Sequence, residues 1–401
     1  MLISLCMIVR DEQDMLPDCL ASVAGAVDEI IVVDTGSVDG TVDIAEAAGA
    51  RVVHFTWCDD FAAARNAALP EVRGQWVLML DADERLAPGA GSALRAAAEK
   101  GDLDCGMLPL YDADRLDASP AEVLSGGART SPPVLLPRMF RRTEDLCWQG
   151  MVHETPIEWM KVPGRVFTEV DAAIIHFGNV ETYRVDKDKG QRNLRLLEQQ
   201  CEREPNNPTA RGYLASELVS AGDVQRATTE VERAWHCLVE VLERPREGPG
   251  PAGVQVASLR ADLAIRSANY EKAIETADTW DRIGLRHPNL VVLRAMSLRR
   301  QSQSLPQQER APLLEMAIAG LEWAVSVEEQ NFAEWVIPLA RGGNVATELG
   351  VALLLDARPA DALAAFQRAV ALQPEMSAAK LGIVEALYDA GRIEEALAAL
   401  Q

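Results

Sequence analysis

Residues 78–86 read LMLDADERL, three apolar side chains and then Asp81, Asp83 and Glu84 in quick succession. They close QWVLMLD (75–81), the fourth of four β-rich runs after LISLCMIV (2–9), EIIVVD (29–34) and RVVHFTW (51–57). Helical stretches separate the runs: one near Pro17 to Val27, one from about Thr41, and the Ala-rich DDFAAARNAAL (59–69). Strand alternating with helix at this spacing predicts a parallel sheet with helices on its faces. Such sheets take ligands at the carboxyl ends of their strands. The charged residues fall there: Arg10, Asp11 and Glu12 end the first run, Asp34 the second, Asp59 and Asp60 follow the third, and Asp81 and Asp83 end the fourth. If Asp81 and Asp83 continue a strand they point to one face and repel, so something positive is expected between them. A hard divalent cation, Mg²⁺ or Mn²⁺, suits carboxylate ligands.

A chain of 401 residues is long for a single core, and two domains are expected. Its formal charge of −22, from 39 basic and 61 acidic residues, argues against nucleic acid or anionic lipid as partner. An anionic small molecule stays possible where local cations meet it. Seven cysteines, none spaced CxxC, point to neither a disulfide framework nor a zinc cluster, and a reducing cytoplasmic setting is expected. The opening MLISLCMIV runs straight into Arg10, Asp11 and Glu12 and reads as a strand, not a signal peptide. No apolar run approaches a membrane span.

After about Lys187 the pattern turns to Ala, Leu, Glu and Arg at helical spacing. The division is placed at 1–186 for an α/β domain and 187–401 for an all-α repeat domain. In the tail, Ala362-Leu363 recurs as Ala396-Leu397 and Phe366 as Leu400, an offset of 34, with Pro374 between. That is the tetratricopeptide period. Stretches 244–252 and 301–312 interrupt the pattern, and a generic helical bundle remains an alternative for the middle part.

In order, SLCMIVRDE, DEIIVVDTGSVDGT, DDFAAARNAAL and GQWVLMLDADERL resemble the family-2 glycosyltransferases of GT-A fold, in the branch with C-terminal tetratricopeptide repeats. The likeness continues through PRMFRR, WQGMVHE, IIHFG and KDKGQRNLRLLE. It implies transfer of a sugar from a nucleotide-diphosphate donor, UDP-sugar foremost, with inversion and usually with Mn²⁺ or Mg²⁺, to a peptide, protein or saccharide acceptor. Asp83 and Asp81 are then metal and donor ligands, the first Asp often reaching ribose or sugar. Asp34 contacts base or ribose, with Arg10 and Glu12 nearby. Arg65 projects toward the donor or is a solvent-facing helix arginine. His176 completes the metal shell or contacts the diphosphate, or is a satisfied core histidine.

Inverting displacement needs a base for the acceptor proton, and Glu154 in GMVHE is the candidate, or else a structural hydrogen-bond acceptor, with His153 and Trp148 in the acceptor region. Arg138, Arg141, Arg142, Lys187, Lys189 and Arg192 form basic islands for diphosphate or acceptor, or else solvated surface, and turn-rich 112–133 is a candidate lid over the donor or a disordered surface loop. The repeats would bind acceptor or partner, or make a homodimer. Two other classes compete: a non-catalytic nucleotide-binding scaffold, and a nucleotidyltransferase, which would want a Gly-rich basic loop where RDEQDML stands.

Overall fold

The computed structural model describes residues 1–130, 133–180, 189–242, 253–327 and 337–400. They fall into two compact units, Met1–Arg203 and Glu204–Gln401.

The first unit is built on nine strands among the described residues: β1 (Ile3–Val9), β2 (Glu29–Asp34), β3 (Arg51–His54), β4 (Trp76–Met79), β5 (Glu84–Leu86), β6 (Cys105–Asp112), β7 (Val134–Arg141), β8 (Phe167–Glu169) and β9 (Ile174–His176). Their order is β3-β2-β1-β4-β7-β6-β9-β5, with β8 beside β6. The four runs foreseen from sequence are parallel to one another. The sheet as a whole is mixed, because β7 pairs antiparallel with β4 and β6, and β5 antiparallel with β9.

β1 is buried on both faces, which is why its sequence reads as an unbroken apolar run. Ile3, Leu5 and Met7 pack with Leu16 and Leu20 of helix Leu16–Ser22 and Leu94 of helix Ala90–Lys100. Cys6 faces the other way, into a cluster with Val77, Ala62, Phe140, Trp148 and Trp159. Helix Phe61–Ala68 closes that side; its N-terminus is capped by Asp60, which accepts from Ala63 N at 2.9 Å.

The candidate lid segment contains a helix, Pro120–Ser125, because Ser119 and Glu122 form a reciprocal capping box and Pro120 occupies the first turn. Val123 and Ala128 are fully buried in a small cluster with Phe177; residues 131 and 132 lie outside the described residues. Helix Lys189–Arg203 belongs to the first unit. Its Arg195 pairs with Asp59 at 2.7 and 2.9 Å, and its Gln200 accepts from Met151 N at 3.1 Å. Lys187 lies outside the described residues.

In the second unit, ten helices among the described residues follow one another from Pro208 to Ala399. Each packs on the next, and helices 208–220, 253–266, 288–302, 342–355 and 377–389 also touch in series, the pattern of stacked pairs and not of a generic bundle. The break expected at 301–312 narrows to a short turn, since helix Pro288–Ser302 runs into it and helix Gln307–Ser326 starts within it. The break at 244–252 lies outside the described residues. The fully buried Phe366 ring fills the space between Gly350 and Gly382, where a Cβ would lie 2.6 and 2.4 Å from it.

Candidate active site

β4 ends at Met79, so Asp81 and Asp83 stand in a turn and not on a strand. This corrects the expectation that they share one face. Glu84 causes it: Glu84 N donates to Asp81 O at 3.0 Å, and Asp81 N donates to Glu84 Oε2 at 3.0 Å, folding the chain back on itself. The two aspartates consequently serve different neighbours.

Asp81 accepts from Arg65 Nη2 at 3.1 Å and lies 3.8 Å from Arg138 Nη2. Burial and the charge of Asp83 push its carboxyl up, but the two guanidiniums outweigh them and hold it below the usual carboxylate range. Arg65 also bonds Glu154 through Nε, so one side chain ties the candidate base to the candidate donor ligand. The expected alternative of a solvent-facing arginine is overturned, since Arg65 is only 9% exposed. Arg138 bonds Glu84, which is buried outright, and burial raises that carboxyl to about 7 against the pull of the arginine. Arg65 Nη1 and Arg138 Nε are buried without a hydrogen-bond partner among the described residues.

Asp83 faces His176. Its Oδ2 lies 3.8 Å from His176 Nε2, and His176 Nδ1 lies 2.7 Å from Asp112 Oδ1. Burial opposes a charged imidazole, yet Asp112 and Asp83 together raise its pKa to about 10. Gly178 leaves the space beside this pair open: a Cβ there would lie 2.1 Å from Asp83 Oδ2 and 2.6 Å from His176 Nε2.

At the neighbouring strand ends, Asp34 is 5% exposed and accepts from Gly36 N at 3.3 Å and Ser37 N at 3.0 Å. Burial pushes Asp34 up, but these donors hold it low. Glu12 N donates to Thr41 Oγ1 at 2.7 Å, and Asp11 Oδ1 accepts from Val38 N at 2.8 Å, so the loops after β1 and β2 are tied together. Arg10 is exposed, 3.9 Å from Asp11. His153 is exposed with φ of 54°, in the loop closed by the Gln149–Thr155 bridge. Trp148 is core: 4% exposed and edge-on to Phe140, its backbone is clasped by Asn66 through bonds of 2.8 and 2.9 Å. Its ring therefore does not line an acceptor surface. Of the basic islands, Arg141 stacks on Trp76 and bonds Asp104, Arg192 lies over Phe61, and Arg138 comes within 3.8 Å of Asp81.

Residues 4–152 match the model of glycosyl transferase family 2, and residues 353–401 match a tetratricopeptide repeat. Over residues 4–152 the first unit is similar to the family 2 glycosyltransferases. A TPR repeat-containing protein of Synechococcus elongatus is 35% identical over 231 residues, covering 56% of this chain and 54% of its own. The SPbeta prophage-derived glycosyltransferase SunS of Bacillus subtilis is 27% identical over 213 residues, covering 53% of this chain and 48% of its own. An uncharacterized glycosyltransferase of Rickettsia bellii is 38% identical over 84 residues, 21% of this chain and 28% of its own. The chain spans about half the length of the first two relatives.

Sequence reasoning about this unit missed Asp112, Gly178 and the structural part of Glu84. Asp112 carried no signal, since its contact with His176 arises only when β6 and β9 pair. Gly178 stood in the quoted IIHFG, where a glycine two residues after a candidate ligand was the available hint.

Proposed function

We propose that the chain is a metal-assisted, inverting glycosyltransferase that moves a sugar from a nucleoside diphosphate donor, UDP-sugar foremost, to a peptide, protein or saccharide acceptor, with residues 1–186 as the catalytic domain. The observation that carries this reading is the Arg65 bridge: Glu154 and Asp81 are held on one guanidinium at the carboxyl ends of parallel strands.

The donor set fits a divalent cation. Asp83 Oδ2 and His176 Nε2 converge, and Gly178 keeps the adjoining space clear. Among the described residues no group of three or more His, Cys, Asp or Glu side chains is arranged to hold a metal. Two protein ligands match the habit of Mg²⁺ and Mn²⁺ in nucleotide sites, where phosphate and water complete the shell. Such a cation, when bound, neutralises charge on the departing diphosphate. Asp34 takes a hydroxyl of the nucleoside, and Asp81 a hydroxyl of ribose or sugar. The unpartnered N–H groups of Arg65 and Arg138 suit phosphate oxygens. Glu154, oriented by Arg65, accepts the acceptor's proton as the new glycosidic bond forms on the opposite face of the anomeric carbon.

The helical unit is the acceptor or partner module in this reading. A groove of about 750 Å³ along helix Tyr270–Arg282 is lined by Ile274, Leu298, Leu313 and Met316, with Glu271, Arg282 and two carboxylates already paired, Glu275 with Arg260 and Asp278 with Arg294. A largely apolar lining suits a peptide or partner segment that offers apolar side chains. No helix among the described residues is long and apolar enough to cross a membrane.

The test is incubation of the full chain with UDP-, GDP- and dTDP-sugars, with Mn²⁺ or chelator, following nucleotide diphosphate release by mass spectrometry. Metal-dependent release from one donor is expected, and Asp83→Ala should abolish it. Absence of both release and donor binding would put the non-catalytic scaffold first.

A further inference from the structure

We propose that Asp112 is a positioning residue for His176, holding the imidazole by Nδ1 so that Nε2 is presented toward Asp83 and the cation they share. The inference rests on the reading of Asp83 and His176 as cation ligands.

Backbone pairing puts the two residues together. β6 and β9 run parallel, and Asp112 is the registered partner of His176 at the last rung of both strands. The ladder continues past them, with Ala113 N donating to His176 O at 2.9 Å, so neither backbone frays at this point. Across that rung Asp112 Oδ1 meets Nδ1 at 2.7 Å. The carboxylate is itself fixed, because Asn179 Nδ2 donates to the same oxygen at 2.8 Å. Both rings of constraint are well covered: the His176 side chain is 19% exposed and that of Asp112 17%.

The opposite edge of the imidazole is the informative one. Nε2 lies 3.8 Å from Asp83 Oδ2, beyond hydrogen-bonding range, and the space beside both atoms is the one a Cβ at residue 178 would fill. In its neutral form, which a metal requires, a histidine that gives Nδ1–H to a carboxylate has its lone pair on Nε2, and the carboxylate makes that nitrogen a better donor to the metal. Without Asp112 the ring would be free to exchange tautomers and to turn, and Nε2 would be presented only part of the time.

The test uses the full chain with UDP present. Mn²⁺ is titrated and the free ion followed by electron paramagnetic resonance for the unsubstituted chain, His176→Gln, Asp112→Asn and Asn179→Ala. The expected result is binding by the unsubstituted chain, loss with His176→Gln, weakening of about 10- to 100-fold with Asp112→Asn, and a smaller loss with Asn179→Ala. Imidazole ¹⁵N spectra with Mg²⁺ and UDP should show His176 protonated at Nδ1 alone, and a tautomer mixture in Asp112→Asn, a change that a purely structural residue would not produce. Unchanged Mn²⁺ affinity and an unchanged tautomer in Asp112→Asn, alongside impaired His176→Gln, overturn the proposal and leave the cation reading standing. Equal binding by the unsubstituted chain and His176→Gln, or no binding at all, overturns the cation reading and the proposal with it. If Asp112→Asn fails to fold, Asn179→Ala decides on the same two readouts.

Discussion

The rim around Asp81 and the layer around Phe366 meet the demands of a folded interior in opposite ways. At the rim, Asp81, Glu84 and Glu154 share Arg65 and Arg138, so three carboxylates are answered by two guanidiniums. Around Phe366, conflict is removed by deleting side chains: Gly350 and Gly382 present bare backbone to the ring. Charge held beneath a surface is costly and is kept where chemistry uses it. Small residues against an aromatic ring contribute packing and nothing else. One region is therefore arranged for reactivity, the other for stacking.

The comparison can be broken most forcefully at Arg65. Arg65→Met should cost about 3–5 kcal/mol in urea unfolding of the first unit, because Glu154 is left buried without its partner, and donor turnover should vanish. Adding Glu154→Gln should restore much of the stability and none of the turnover, which separates the two contributions. Gly178→Ala comes next: displacement of Asp83 or His176 by the new Cβ should lower turnover about 10²-fold, with a much smaller change in the unfolding midpoint. Smaller again is Gly382→Ala, where overpacking against Phe366 should cost the helical unit about 1–3 kcal/mol while donor hydrolysis stays unchanged.

The smallest effect is one of pH. His176 has its pKa raised from 6.5 to about 10 in the folded chain, so its contribution is fully present below pH 6.5 and is lost as pH rises toward 10. In chelator, the difference in unfolding midpoint between the unsubstituted chain and His176→Gln should shrink between pH 6 and pH 9.5. A constant difference would mean that the two aspartates do not hold the charged ring.

Much of the first unit was legible in sequence because β1, β2 and β4 are buried on both sides and read as uninterrupted β-branched and apolar runs. β5 and β8 were not, being three residues each and defined by pairing with distant partners. The aspartates of LMLDADERL announced themselves by chemistry, yet their divergence did not: a period of two holds only while the strand lasts, and Glu84 ends it. Arg65 was legible as a motif member but not as a bridge, since burial of a charged side chain is set by the loop at Glu154, 89 residues away. The helical unit showed its period in the tail and hid it in the middle, where the stacking series reveals pairs whose sequences have drifted from the pattern.

Helix Phe61–Ala68 carries Arg65 and Asn66 side by side, the first reaching Asp81 and Glu154, the second clasping Trp148. The segment from 148 to 154 therefore hangs from two adjacent residues of one helical turn. A drift in that turn would be inherited jointly by Glu154, proposed to meet the incoming nucleophile, and Asp81, proposed to meet the donor. Changes in what this protein accepts are thus expected to arise in the loops around the turn, and lineages should diverge there while the Arg-Asn pair stands still.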